Sequence, residues 1–260
     1  MAVVVHPDAD ALARASAEDF VALAGEAVRA RGVFHVALSG GSTPKKTFDL
    51  LAARGRAALP WDQITLWWGD ERTVPPTHSD SNYGMAKQHL IDPLKLDPAR
   101  VHRMVGEGGD YAAHAANADA YQRAITSALG TPPVFDLVML GMGPDGHTAS
   151  LFPDTPAVKT AVAGTPALSD HWVVANQLAE TNLPGKTVRI TLTAKAINAA
   201  RHVRFAIGGA DKATSLAAVL EGPREPARFP SQLIAPSPGD LVWLLDAAAA
   251  AKLRSQGAHP

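Results

Sequence analysis

Asp145 and His147 are the residues whose type and spacing point most directly to chemistry. They lie on a glycine-rich loop that follows a strongly apolar run in FDLVMLGMGPDGHTASLFPDTP, residues 135 to 156. A histidine can act as a general base near neutral pH, and an aspartate two residues away can orient its ring or help to position water. The alternative is a capping aspartate beside a loop histidine, with no catalytic role for either.

The sequence argues against several other kinds of site. Residues 141 to 146 fit the dinucleotide pattern GxGxxG, but Pro144 and Asp145 interrupt the turn and the carboxylate would face a pyrophosphate. The histidines form no HExxH or HxxxH pair, which disfavours a His-based metal site, and no GxSxG elbow offers a serine nucleophile. The absence of cysteine excludes a thiol nucleophile and a zinc–thiolate site.

A second loop, in LSGGSTPKK, also follows an apolar run. Small residues there let the backbone approach an anion, hydroxyls add donors, and Pro44 suits the first position of a helix, whose N-terminus attracts negative charge. The loop predicts either a phosphate site or an ordinary capped turn between a strand and a helix. No Walker A pattern is present, so a nucleoside triphosphate is not indicated. The residues of the predicted phosphate site are Ser39, Gly40, Gly41, Ser42 and Thr43.

A third polar segment, GDERTVPPTHSDSNYG, follows the run ITLWW. It begins with Asp70, Glu71 and Arg72 and leads to a helix expected to start near Tyr83. One interpretation is a solvated loop with Ser81 or an adjacent asparagine as helix cap. The other is a functional loop, which is favoured if this segment shares a sheet edge with the other two loops.

The elements that must position these loops form a predicted α/β fold. Helical patterns, at 11–30, 110–129, 210–220 and 247–253, alternate with near-continuous apolar runs, which indicates a Rossmann-like, mostly parallel sheet with helices on both faces. Sites in such sheets lie at the carboxyl ends of the strands, so all three loops should meet. We expect one domain over residues 1–260. The predicted strands are Val33–Leu38, Ile64–Trp68, Phe135–Leu140, Trp172–Ala175, Val188–Leu192, Val203–Ile207 and Leu241–Leu245.

Composition narrows the function further. The chain has 260 residues, of which 47% are hydrophobic and 19% charged, and its formal net charge is -1. That balance gives no basic surface for nucleic acid. The N-terminus does not look like a signal peptide and no apolar run is long enough for a membrane span, so we expect a cytoplasmic protein with no membrane partner.

Taken in order, four segments resemble the 6-phosphogluconolactonases, within the glucosamine-6-phosphate isomerase/deaminase-like sugar phosphate superfamily. They are LSGGSTPKK, WWGDERTVPPTHSDSNYGMA, LGMGPDGHTASLFP and VRITLTAKAINAARHVRFAIGGADKA. The resemblance implies hydrolysis of 6-phospho-D-glucono-1,5-lactone in the oxidative pentose phosphate pathway. It also implies that no metal or organic cofactor is needed and that the protein is a monomer.

The resemblance also implies roles for individual residues. His147 would be the general base that activates water, and Asp145 would orient it. Backbone N–H groups or Arg72 would stabilise the oxyanion. The loop of residues 39 to 43 would hold the phosphate together with Arg189 and Lys212. How catalysis is shared among Asp145, Glu71 and Arg72 stays open.

Two other functions compete with the lactonase. The deaminases of the superfamily resemble DGHIAFNEP at the histidine loop, with a glutamate where this chain has Phe152. An apolar ring in place of a catalytic carboxylate favours the lactonase. A non-catalytic sugar phosphate sensor would keep the phosphate loop and its cations but would not need both Asp145 and His147.

Overall fold

Nine strands and eight helices are assigned in the computed structural model, which describes residues 1–164, 170–178 and 187–254. The strands are β1 (Ala2–His6), β2 (Phe34–Leu38), β3 (Ile64–Trp68), β4 (Asp70–Arg72), β5 (Leu137–Leu140), β6 (Val173–Gln177), β7 (Val188–Leu192), β8 (His202–Ile207) and β9 (Asp240–Asp246). The helices are α1 (Ala9–Arg31), α2 (Ser42–Ala53), α3 (Asn82–Ala86), α4 (Asp92–Leu94), α5 (Tyr111–Leu129), α6 (Pro156–Ala163), α7 (Ala194–Asn198) and α8 (Ala213–Glu221).

The main sheet has six strands in the order β1-β9-β8-β5-β2-β3, and every pair in it is parallel. All residues of β3 and β5 are buried, which explains why their sequences are apolar without alternation. The predicted α/β fold is confirmed. Because all strands run the same way, the loops after β2, β5 and β8 leave the same edge of the sheet.

The prediction of a mostly parallel sheet is confirmed, but three strands lie outside that sheet. β4, β7 and β6 form a separate antiparallel sheet in that order. Gly69 joins the two sheets, since its N–H donates to Leu38 O at 2.9 Å and its carbonyl accepts from Leu192 N at 2.8 Å. Apolar periodicity does not report strand direction, so the sequence could not separate the two sheets.

The first helix follows its sequence closely. Asp8 caps α1 by accepting from the N–H groups of Asp10 and Ala11, and Gly32 ends it with a φ of 77°. The alanine-rich run 247–253 was predicted to be helical, but only a short 3₁₀ turn forms at Ala249–Lys252. None of the helices in the described ranges has the length and apolarity that a membrane crossing requires.

Candidate active site

A cavity of about 290 Å³ opens at the carboxyl edge of the main sheet. It draws its walls from the ends of β2, β3–β4, β5 and β8, as the sequence predicted. A larger cavity of about 390 Å³ lies elsewhere, but Arg224 is the one charged side chain among the described residues that line it. The residues lining the smaller cavity are Ser39, Gly40, Asp70, Arg72, Asn82, Gly141, Met142, Gly143, Pro144, His147, Ala149 and Lys212.

His147 and Asp145 form a close pair on the loop after β5. Nδ1 of His147 lies 2.5 Å from Oδ1 of Asp145, which also accepts from the His147 N–H at 3.2 Å. Burial alone would raise the pKa of Asp145, but its hydrogen bonds and its attraction to His147 outweigh burial and lower that pKa. No described residue bonds Nε2 of His147. A carboxylate at Nδ1 favours the tautomer with the proton on Nδ1, which leaves Nε2 free to accept one.

The histidine loop is held by hydrogen bonds within its own backbone. The Gly143 N–H donates to His147 O at 2.9 Å, and Thr148 Oγ1 donates to Gly141 O at 2.8 Å. Gly143 is required by close packing, since a Cβ there would lie 2.1 Å from Cε1 of His147. Gly146 has a φ of 80° and a Cβ on it would lie 2.8 Å from the Phe229 ring.

The glycine-rich loop after β2, in contrast, leaves backbone N–H groups without hydrogen-bond partners among the described residues. α2 begins at Ser42, and its cap residue Gly41 has a φ of 107° and no side-chain capping bond. The sequence predicted that Pro44 is the first residue of the helix, but it is the third. Ser39 and Gly40 line the cavity, whereas Gly41, Ser42 and Thr43 do not. The first N–H groups of α2 have no described protein partner, which is the condition for binding an anion.

Glu71 is buried, and hydrogen bonds occupy both of its carboxylate oxygens. Its Oε1 accepts from the N–H groups of Arg72 and Asn82, and its Oε2 accepts from Ser81 Oγ and the Tyr83 N–H. Burial raises the pKa of Glu71 in spite of the backbone hydrogen bonds. It anchors the start of α3 and does not line the cavity, so its side chain lacks access to a substrate there. Ser81 is the helix cap, accepting from the Gly84 N–H at 2.9 Å.

Asp70 and Asn82 link the polar segment to the other two loops. Asp70 accepts from Ser150 Oγ of the histidine loop at 2.6 Å and from Asn82 Nδ2 at 3.1 Å. Asn82 packs so tightly on Gly40 that a Cβ atom added to Gly40 would lie 1.8 Å from Asn82 Oδ1. The sequence alone assigns neither Asn82 nor Ser150 a role in the site. Their positions at the ends of the polar stretches SDSN and HTAS were the available signals, but the contacts between the two segments are tertiary.

The three predicted cations are placed differently. Arg72 lines the cavity, and its Nη1 donates to the Asp80 carbonyl. Lys212 also lines the cavity, in a short turn before α8, and its ammonium pairs with Asp211. Arg189 is only 4% exposed and does not line the cavity. It faces Arg72 across the β4–β7 pair, and burial together with that like charge lowers the pKa of Arg189.

The described residues hold no group of three or more His, Cys, Asp or Glu side chains that could ligate a metal. The cavity combines a carboxylate-oriented histidine with two lining cations, and the uncapped N-terminus of α2 follows directly after its lining residues Ser39 and Gly40. Such a set of groups suits proton transfer on an anionic substrate.

Comparisons with known proteins identify the family. Residues 7–243 match the family model described as glucosamine-6-phosphate isomerases/6-phosphogluconolactonase. The 6-phosphogluconolactonase of Nostoc sp. is 39% identical over 252 residues, covering 96% of this chain and 98% of the relative. The enzyme of that name from Streptomyces coelicolor is 35% identical over 263 residues, covering 96% and 94%.

Solved structures agree. The 6-phosphogluconolactonase of Trypanosoma brucei superposes with a TM-score of 0.83 at 28% identity, covering 97% of this chain and 98% of that one. A monomeric glucosamine-6-phosphate deaminase shares the fold, with a TM-score of 0.77 at 19% identity, covering 97% and 100%. The family predicted from the sequence motifs is confirmed, and the chain belongs to the glucosamine-6-phosphate isomerase/6-phosphogluconolactonase family of enzymes.

Proposed function

We propose that this protein is a 6-phosphogluconolactonase, which hydrolyses 6-phospho-D-glucono-1,5-lactone to 6-phospho-D-gluconate with His147 as the general base and without a metal. The observation that carries the proposal is the His147–Asp145 pair, whose Nδ1 is bonded to a carboxylate while its cavity-lining ring keeps Nε2 free. Full-length relatives of that name support the substrate.

The reaction would proceed by addition and elimination. Nε2 of His147 takes a proton from water as the water oxygen bonds to the lactone carbonyl carbon. The carbonyl oxygen becomes an oxyanion, which Arg72 or the backbone N–H groups of the glycine-rich loops can stabilise. When the tetrahedral intermediate collapses, the bond to the ring oxygen breaks and the imidazolium returns its proton to that oxygen. Asp145 holds the ring throughout and favours the transient positive charge.

The phosphate of the substrate would bind at the opposite side of the cavity. Ser39, Gly40 and the N-terminus of α2 offer N–H and hydroxyl donors, and Lys212 offers a cation. Arg189 is paired with Arg72 across β4 and β7 and, although buried, would add positive potential to this side of the cavity. Its role as a direct phosphate ligand stays a prediction, as do those of Gly41, Ser42 and Thr43.

The deaminase alternative is less well supported by this geometry. Phe152 holds the position where the deaminases carry a carboxylate, and its ring stacks on His147 with centroids 3.9 Å apart. An aromatic ring there cannot transfer a proton.

The test is the rate of lactone loss, with the lactone generated in situ and the spontaneous hydrolysis subtracted. We expect His147→Ala to lower kcat by about 10²- to 10⁴-fold, the range that general acid–base catalysis supplies. His89→Ala is the matched control, since His89 pairs with Asp49 at 2.7 Å but does not line the cavity. A wild-type rate no faster than the blank would overturn the proposal, and glucosamine 6-phosphate would then be tested as substrate.

Four further properties are part of this proposal: the family resemblance implies the monomer and the independence of metal, and the sequence pattern predicts the cytoplasmic location and the single domain. We infer that the protein acts as a monomer in the cytoplasm, that residues 1–260 form one domain, and that activity survives a strong chelator. Light scattering during size-exclusion chromatography and an assay after metal removal check the first and last.

A further inference from the structure

Phe152 lies in the same loop as His147 and contacts its ring directly. The two rings stack with centroids 3.9 Å apart and an angle of 23° between their planes. Phe152 is 7% exposed, so it belongs to the wall behind the histidine and not to the open cavity. Its ring covers part of the imidazole that water would otherwise reach.

Phe152 is itself held firmly. Its carbonyl accepts from Thr155 Oγ1 at 2.7 Å. Asn176 of β6, which is buried, donates from Nδ2 to Ser150 O at 2.8 Å and to Thr155 Oγ1 at 3.1 Å. The small antiparallel sheet therefore fixes the segment on both sides of Phe152, and the ring it presents to His147 has a defined position.

Three contacts then restrain the imidazole. The hydrogen bond that Nδ1 donates to Asp145 fixes that nitrogen, but one bond leaves the ring plane free to tilt about it. Gly143 lies against the ring, where even a methyl group would not fit. Phe152 stacks on it and limits the remaining motion. Nε2 is the one ring nitrogen left for a water molecule in the cavity.

We propose that Phe152 is a positioning residue for His147, which holds the imidazole plane so that Nε2 meets water at the angle needed for proton transfer. This inference rests on the proposed lactonase function. It predicts an effect on the chemical step and not on phosphosugar binding, because Phe152 does not line the cavity.

The kinetic test compares Phe152→Leu with Phe152→Tyr. Loss of the stacking ring should lower kcat by about tenfold with KM nearly unchanged, since small misplacements of catalytic groups are costly. Tyr keeps the stack and should restore kcat to within about threefold of wild type. Phe205→Leu is the matched control. Phe205 lies in β8 and stacks on Trp243 with ring centroids 3.8 Å apart, so its replacement tests the effect of general destabilisation alone.

A second measurement does not depend on the substrate. Relaxation of the His147 ring Cε1–H signal, assigned by its absence in His147→Ala, reports fast ring motion. We expect a more mobile ring in Phe152→Leu and wild-type values in Phe152→Tyr and Phe205→Leu.

The outcomes separate this inference from the proposed function. An unchanged kcat or an unchanged ring mobility in Phe152→Leu would overturn the positioning role while leaving the lactonase intact. An equal loss of kcat in Phe205→Leu would also overturn it, since the effect would then reflect stability. A wild-type protein without lactonase activity would refute the function, whereas ring relaxation would still test the contact.

Discussion

The two glycine-rich loops at the carboxyl edge of the main sheet are built in opposite ways. The loop at 39–43 leaves the N-terminus of α2 without a side-chain cap, and Ser39 Oγ donates only to the neighbouring Gly40 O, at 3.3 Å, among the described residues. The loop at 141–152 pairs its polar groups with other parts of the chain, since the Gly143 N–H donates to His147 O and Ser150 Oγ donates to Asp70. A glycine permits a close approach within the chain in both loops, since Asn82 packs on Gly40 in the first and the His147 ring packs on Gly143 in the second.

This difference matches two tasks. A site for an anion must keep donors unpaired until the ligand arrives, since the ligand then satisfies them. A general base must be oriented before the substrate arrives, since reorganising it during the reaction would raise the barrier. Changes in the first loop should therefore act on KM, and changes in the second should act on kcat.

Gly143→Ala should have the largest effect on this comparison. The new Cβ would lie 2.1 Å from Cε1 and 2.2 Å from Nδ1 of His147, so the ring must move. We expect kcat to fall by about a hundredfold or more, because displacement of a catalytic group by about 1 Å costs that much. Gly109→Ala, at a position with open space, is the control. Equal kcat values in both variants would contradict the proposed rigidity of the histidine loop.

Lys212→Met should have an intermediate effect and act mainly on KM. Removal of one charge-assisted contact to phosphate should raise KM by about 30-fold, with kcat within a few-fold of wild type. Activity on the unphosphorylated lactone should not change. Lys46→Met is the control, since Lys46 is exposed, pairs with Asp10 and does not line the cavity. A fall in kcat with KM unchanged would remove Lys212 from the phosphate site.

Tyr121→Phe should have the smallest effect, on stability rather than catalysis. Trp68 is the last residue of β3. The hydroxyl of Tyr121 accepts a 2.7 Å hydrogen bond from its N–H. Burial raises the pKa of Tyr121 above its ordinary value of 10.0. Below pH 10 the hydroxyl of Tyr121 is neutral in both the folded and the unfolded chain, and its contribution to stability is complete. Above pH 10 the unfolded chain ionises first, so this stability is lost by about 1.4 kcal/mol per pH unit.

Urea unfolding at pH 8 and pH 11 measures this effect. Wild type should be more stable than Tyr121→Phe by about 1 kcal/mol at pH 8, from the lost hydrogen bond, and the difference should shrink or reverse at pH 11. Tyr111→Phe is the control, since the Tyr111 ring is 49% exposed. A constant difference between the two pH values would show that Tyr121 does not titrate as described.

The sequence predicted strands better than it predicted their arrangement. All seven apolar runs became strands or parts of them, because residues buried on both faces must be apolar. β1, with its half-buried pattern, and β4, which consists of the polar residues DER, were not predicted. β4 can be polar because Asp70 and Glu71 find hydrogen-bond donors from α3 and the histidine loop, which no local pattern reveals.

The sequence by itself determined the family, the α/β class and the three loops that form the site. These follow from local motifs and from apolar runs, which survive in any arrangement of the elements. The tertiary structure alone decided which loop residues reach the cavity: it admitted Asp70 and Asn82, buried Arg189 behind Arg72, and stacked Phe152 on His147. Such contacts join residues far apart in the chain, and they depend on distances of a few ångströms that neither composition nor spacing encodes.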